Sequence, residues 1–441
     1  MTKKPNIIVF FTDQQRWDST GVHGNPLELT PNFDRLAMEG THCFNAFTCQ
    51  PVCAPARSSL QTGKYATNTG VYRNAITMGA EHKTLAHYFK EGGYATGYIG
   101  KWHLASGDPV PRNEQGGYDY WLGANALEHV SDIYNTIVYD KDQKEVFLPG
   151  YRVDALTDAA IRYVSDQKAN PFFLFMSFLE PHHQNHVDDY PPPPGYRERY
   201  TGRWVPGDLA ALGGSSAQHL GGYFGMVKRL DEALGRLMDA LQSMGLLDNT
   251  IILYTTDHGN HFKTRNGEYK RSCHEASVRI PMALRGPGFN GGGRIKDLVS
   301  LVDMPPTLLD AAGLPIPKEM EGRSILDGRK DWPDDVFIQI SESQVGRAIR
   351  TKRWKYSVCA ADRDGWNDSN APVYTEQFLY DLEHDPDEQV NLIGYASHRE
   401  VSKSMRERLL KYLKKVENAA PAIIEAKEIK SGQRKVESEE I

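Results

Sequence analysis

Strand-like and helix-like segments alternate through three quarters of the chain and then give way to successive strands. This predicts an α/β fold: a large, mostly parallel sheet sandwiched by helices, with a smaller C-terminal α+β subdomain containing an antiparallel sheet. Four apolar runs carry the first part of the prediction: NIIVFFTD (6–13), YATGYIGKWH (94–103), PFFLFMSF (171–178) and TIILYTTDHG (250–259). They lack the polar alternation of half-exposed strands and read as strands buried on both faces.

Between them, TLAHYFKEGG (84–93), VDALTDAAIRYVSDQ (153–167) and GGYFGMVKRLDEALGRLMDALQSMG (221–245) have helical spacing, and the last is closed by glycine. YPPPPGYRERY (190–200) and LGGSSAQHLGG (212–222) read as loops over the sheet. After DMPPTLLDAAGLP (303–315) the pattern changes. VFIQIS (336–341) and GRAIRTKRWKYSVCA (346–360) read as antiparallel strands, and a helix is expected near 398–418. The division expected is a catalytic α/β domain over 1–333 and a subdomain over 334–441, whose tail from about 421 is charged and frayed.

A chain of 441 residues can bury a substantial core, and 40% hydrophobic with 24% charged residues is ordinary for a globular protein. The 57 acids against 51 bases give a net charge of −6, which argues against a nucleic-acid-binding face. An anionic substrate would therefore need a local cluster of cations. The N-terminal MTKKPNIIVFF runs into a strand without a cleavage-site pattern, so no signal peptide is read and a cytoplasmic location is expected. A mature periplasmic or secreted chain would begin the same way. No segment is apolar for long enough to span a membrane, and nothing in the sequence specifies an oligomeric state. The five cysteines make no disulfide framework. Cys49 and Cys53 have no partner Cys/His pair at zinc-finger spacing.

The chemistry collects at strand ends. FFTDQQ delivers Asp13 and Gln14 to the carboxyl edge of the sheet, where open α/β folds bind ligands. YTTDHGN delivers Asp257 and His258 the same way. Either pair alone is ordinary strand-end capping. Together, two carboxylates, an amide oxygen and an imidazole suit a divalent cation. GKWH adds Lys101 and His103 past a third strand, and EPHHQNH adds His182, His183 and His186 past a fourth, so four strands converge as an active-site edge. In CQPVCAPARSSLQTGKY (49–65), Pro55 suits a helix first turn and makes Cys53 or Ala54 the expected cap. Arg57, one turn on, offers a fork for sulfate or phosphate oxygens.

Cys53-Ala54-Pro55-Ala56-Arg57, followed by Leu60 and Gly63, resembles the type I sulfatase signature. TPNFDRLAMEG, GKWH, EPHH, TDHGNH, KRSCHEASVRIPM and LYDLEHDPDEQVNL resemble sulfatase segments in their usual order over almost the whole chain. The resemblance implies an alkaline-phosphatase-like fold and a sulfuric ester hydrolase. It implies that Cys53 is oxidised to Cα-formylglycine by a separate formylglycine-generating enzyme. The hydrated aldehyde is then a gem-diol whose one hydroxyl attacks sulfur and whose other expels the sulfate.

By the same resemblance Asp13, Gln14, Asp257, His258 and the modified residue 53 ligate Ca²⁺, with Mg²⁺ or Mn²⁺ as alternatives. Arg57 orients the gem-diol, Lys101 and Lys270 bind sulfate, and His103 assists elimination. His182, preferred to His183 because it directly follows Pro181, protonates the leaving alcohol, with His183 a candidate substrate contact. Relatives commonly have aspartate at position 14 and asparagine at 258, and an aromatic residue near Cys273-His274. His274 is thus a candidate substrate contact, with packing as the plainer reading. The substrate expected is a sulfated small molecule or carbohydrate, with Arg73, Trp102, Tyr72, Trp204 and Trp366 as candidate sugar contacts. The alternative from the same superfamily is a phosphonate monoester or phosphodiester hydrolase, and GKWH favours the sulfatase. A non-catalytic binding protein is disfavoured, because every catalytic position holds a competent residue.

Overall fold

Ile7 to Phe11 are fully buried, and their side chains alternate between two cores: Ile7, Val9 and Phe11 in one, Ile8 and Phe10 in the other. Burial on both faces is why this run shows no polar alternation, and it requires helices above and below the sheet. In a computed structural model, which describes residues 4–328 and 331–429, they do lie there.

The main sheet contains β1 (Asn6–Thr12), β2 (Thr41–Phe47), β3 (Ala95–Lys101), β4 (Tyr120–Ala124), β5 (Thr136–Asp140), β6 (Glu145–Leu148), β7 (Phe172–Ser177), β8 (Thr250–Thr256), β9 (Ala283–Arg285) and β10 (Gly293–Ser300). Their order is β10-β2-β9-β8-β1-β7-β3-β4-β5-β6. The central β8-β1-β7-β3-β4 block is parallel, and antiparallel pairing is confined to β9 and the β4-β5-β6 edge. Helices Arg152–Gln167 and Ser216–Ser243 cover one face. Helices Cys53–Thr62, Leu85–Glu91 and Met304–Ala311 cover the other.

A second sheet holds β11 (Asp335–Ile340), β12 (Val345–Thr351), β13 (Trp354–Ala360), β14 (Val373–Asp381) and β15 (Ala422–Ile424) in sequence order. It is antiparallel except that β15 runs parallel to β14. The helix Arg399–Val416 packs on one face through Met405, Leu409 and Leu413, in a core that also takes in Cys49, Tyr65 and Val302. On the other face Val336, Ile338 and Ala348 meet Phe47, Val278 and Leu298. The second sheet thus shares both of its cores with the first part of the chain.

Three expectations are corrected. Residues 216–220, read as loop, belong to the opening turns of the Ser216–Ser243 helix. The glycines that follow serve close packing: a Cβ on Gly222 would lie 2.1 Å from the Tyr190 carbonyl oxygen. The Pro-rich loop contains a short helix at Tyr196–Tyr200. The tail read as frayed from 421 supplies β15, and its part from 430 lies outside the described residues. No helix among the described residues is long and apolar enough to cross a membrane.

Candidate active site

Parallel strands end on one edge, and β8, β1, β7 and β3 are immediate neighbours. Asp257-His258, Asp13-Gln14, His182-His183 and Lys101 with His103 therefore emerge side by side. Across from them the Cys53–Thr62 helix is buried along its whole length. It starts at Cys53 itself after an extended Val52 that makes no side-chain cap. The expectation that Cys53 or Ala54 caps the helix is thereby corrected. The free Ala54 N–H is satisfied by Asn74 Oδ1 at 3.0 Å, and Pro55 has no N–H to satisfy.

Cys53 Sγ lies 2.9 Å from Lys270 Nζ, 3.3 Å from His258 Nε2, 3.6 Å from Asp13 Oδ1 and 3.9 Å from Lys101 Nζ. Arg57 donates to Asp13 (2.9 Å), Asp257 (3.2 Å), Ser177 Oγ (2.6 Å) and the Lys101 carbonyl (3.0 Å). Lys101 pairs with Asp13 at 2.9 Å and Glu128 at 3.1 Å. Sequence reasoning missed Ser177, Glu128 and Asn74. Ser177 had a signal, because it is the last residue of a core strand on the same edge.

These charges set each other's protonation. Burial and Asp13 push the Cys53 thiol up, but Lys101, Lys270 and His258 outweigh them and hold it well below its ordinary value. Burial opposes ionisation of Asp13, yet Lys101, His182, Arg57 and Lys270 keep it a carboxylate. Asp257 is raised by burial and by its neighbour Asp13. His182 is held neutral by burial and by Lys270 and His183. Its Nδ1 lies 2.6 Å from the His183 carbonyl, which can only accept, so Nδ1 carries the hydrogen. His183 is lowered to about 4, mainly by burial, and stacks on His182 at 4.3 Å.

The same edge fits a divalent cation. Ligand atoms of Asp13, Cys53, Asp257 and His258 lie within 4.8 Å of one another. Gln14 Nε2 donates to Tyr190 Oη at 3.1 Å, which turns Oε1 away, and that buried oxygen has no hydrogen-bond partner. His258 Nδ1 donates to the Gly259 carbonyl at 3.0 Å, leaving Nε2 with its lone pair. Two carboxylates, with an orphaned amide oxygen on the residue that follows one of them, suit a hard cation. Cys49 takes no part: burial raises its thiol to about 12.

A cleft of about 510 Å³ opens onto Cys53, lined by His103, His182, His183, Lys270 and Arg271 among others. Trp102 is not among its walls. It is 1% exposed and packs edge-on against Tyr98, Tyr118 and Trp121. His274 is also elsewhere, buried against Phe378 with Nε2 at 3.1 Å from Tyr380 Oη. Both expected substrate contacts are corrected to packing, and so is Trp204, stacked on Phe224. Arg73 lies beside the cleft residue Asn74, its guanidinium 4.5 Å from the Trp366 ring centroid and 5.9 Å from that of Tyr72.

Residues 5–314 match the family model described as Sulfatase, and residues 267–415 match that of the N-sulphoglucosamine sulphohydrolase C-terminal region. The chain is 30% identical to an ulvan-active sulfatase of Formosa agariphila, over 89% of this chain and 77% of that protein. It is 26% identical to an N-acetylglucosamine-6-O-sulfatase of Bacteroides thetaiotaomicron, over 99% and 91%. A phosphonate monoester hydrolase of Agrobacterium radiobacter superposes with a TM-score of 0.72 at 22% identity, covering 92% of this chain and 95% of that one. That likeness speaks for the fold alone.

Proposed function

The chain belongs to the sulfatase family and is a sulfuric ester hydrolase, and from that premise we propose that it releases sulfate from a carbohydrate through a formylglycine derived from Cys53. The observation that carries the proposal is the ring of cations around Cys53. Lys270, Lys101 and Arg57 converge on a buried pocket of a chain whose net charge is −6. Such a pocket favours a compact oxyanion. The carbohydrate is supported by the two relatives named for glycan substrates and by the Tyr72–Arg73–Trp366 cluster next in sequence to the cleft residue Asn74.

Each residue's part follows from its surroundings. Lys101 and Lys270 hold sulfate oxygens, and Arg57, fixed by four acceptors, keeps residue 53 oriented. His182 is neutral in the free enzyme. A bound sulfate beside it raises its proton affinity, which prepares it to protonate the leaving oxygen. His183, lowered to about 4, is the less ready acid. His103, on the cleft wall, takes a proton during sulfate release. Asp13, Gln14, Asp257 and His258 would hold a calcium ion. When bound, that ion supplies Lewis-acid polarisation of the sulfate, and formylglycine supplies the nucleophilic oxygen.

The test is turnover by the converted enzyme of three matched probes: an aryl sulfate, an aryl phosphate diester and a panel of sulfated mono- and oligosaccharides. Sulfate release from a saccharide above the aryl sulfate rate supports the proposal. Preference for the diester, or turnover of aryl sulfates alone, overturns it.

A further inference from the structure

The turn between β11 and β12 reaches back from the second sheet to the edge that carries Cys53. Glu342 in that turn has only 2% of its side-chain surface exposed, and its backbone adopts a left-handed φ of 66°. One carboxylate oxygen accepts the Asn74 N–H at 2.7 Å, and Asn74 Oδ1 accepts the Ala54 N–H at 3.0 Å. The other oxygen lies 2.7 Å from Arg271 Nη2, and Ser343 Oγ donates to the Arg271 carbonyl at 2.6 Å. Arg271, itself at a left-handed φ of 72°, directly follows Lys270, the residue nearest Cys53 Sγ.

We propose that Glu342 is a positioning residue: its single carboxylate clamps together the loop that ties down the start of the nucleophile helix and the loop that presents Lys270. Apolar contact would join the two sheets equally well. Only a carboxylate accepts a backbone N–H at one oxygen and brings a negative charge against a guanidinium at the other. Two left-handed residues at the joint, neither of them glycine, show that the surroundings impose the geometry. The second sheet thereby sets the separation of Lys270 and residue 53. The catalytic meaning of that separation rests on the sulfatase reading, whereas the clamp does not.

The test is hydrogen–deuterium exchange on the full chain, with aryl sulfate turnover measured at equal converted fraction. Glu342→Ala is expected to raise exchange roughly tenfold in both 72–76 and 268–273, with β1 and β8 unchanged, and to lower kcat/KM by a similar factor. Glu342→Gln keeps an acceptor for Asn74 and is expected to loosen 268–273 alone. Ser343→Ala, at an exposed position, should loosen the same segment if Glu342→Ala does not fold. Unchanged exchange, loosening of one loop by Glu342→Ala, or loosened loops with wild-type turnover overturns the proposal. A wild-type chain that releases no sulfate overturns the sulfatase reading instead, and the exchange pattern still decides the clamp.

Discussion

Lys270 Nζ stands 2.9 Å from Cys53 Sγ, although the two residues are 217 positions apart in the chain. Among the described residues, no other hydrogen-bonding group comes as near to that sulfur. A lysine this close, in a buried site, would stabilise charge that develops on an oxygen carried by residue 53 and on the group it attacks. Lys270→Ala is expected to lower kcat/KM by about 10² to 10³, the usual loss for one such donor. Equal rates for Lys270→Ala and wild type would remove Lys270 from the reaction.

Metal binding gives an independent handle. Asp13, Asp257 and His258 are buried with ligand atoms close enough together to hold a cation, and the neighbouring Gln14 Oε1 is buried without a hydrogen-bond partner. Calcium at a hundred times its dissociation constant should stabilise the fold by about 2.7 kcal/mol. A chelator should reverse that shift. Asp257→Ala should abolish the shift along with activity. A melting temperature indifferent to calcium, magnesium and manganese would refute the site.

The Tyr72–Arg73–Trp366 cluster separates sugar recognition from sulfate chemistry. Trp366 is 42% exposed with Arg73 stacked on it, so its free face is open to a sugar ring. Trp366→Ala should raise KM for a sulfated oligosaccharide by about three- to tenfold, the equivalent of one aromatic contact, and leave aryl sulfate kinetics alone. Equal effects on both substrates would count against a glycan contact.

Acid sensitivity follows from the buried histidines. Burial and then Arg294 lower His42 to about 4, and burial with Arg265 lowers His261 to about 3. Unfolded, each takes a proton near pH 6.5, while folded it resists until far lower pH. Stability is therefore fully present above about 6.5 and lost as pH falls toward the folded values. Each contributes a slope of up to about 1.4 kcal/mol per pH unit in that window. Urea unfolding at pH 7 and pH 5 should show the loss, and His42→Phe should flatten it by up to one such increment. A slope indifferent to His42→Phe would contradict the assignment.

Asp13 and Asp257 were legible because a polar residue directly after a fully apolar run has one place to go in a parallel sheet. Lys101 and the His182-His183 pair were legible for the same reason. Trp102 misled because the rings that enclose it, Tyr118 and Trp121, come from another segment, and nothing local distinguishes a sugar platform from a core indole. His274 faces Tyr380, 106 residues away. Residues 216–220 looked like loop because the glycines on either side signal flexibility locally, whereas at Gly222 a missing Cβ admits another segment's backbone. Glu342 had no signal, since its meaning lies in partners such as Asn74, 268 residues earlier.

Cys53 is 1% exposed, at the start of a helix buried throughout. No second enzyme can place its own active site around that sulfur once the sheets have closed over it. If a separate enzyme converts Cys53 to formylglycine, as proposed, oxidation is expected to come first and folding afterwards. Supplying the formylglycine-generating enzyme during synthesis should convert the tryptic peptide that ends at Arg57 to the lighter aldehyde or its hydrate. Adding it to the finished protein should leave the thiol as it was, and conversion in that second experiment would disprove the order. On that order each molecule would get one chance, at birth, to become an enzyme. The active fraction of a culture would then record how the pace of maturation compared with the pace of folding, and later treatment of the native protein would not raise it.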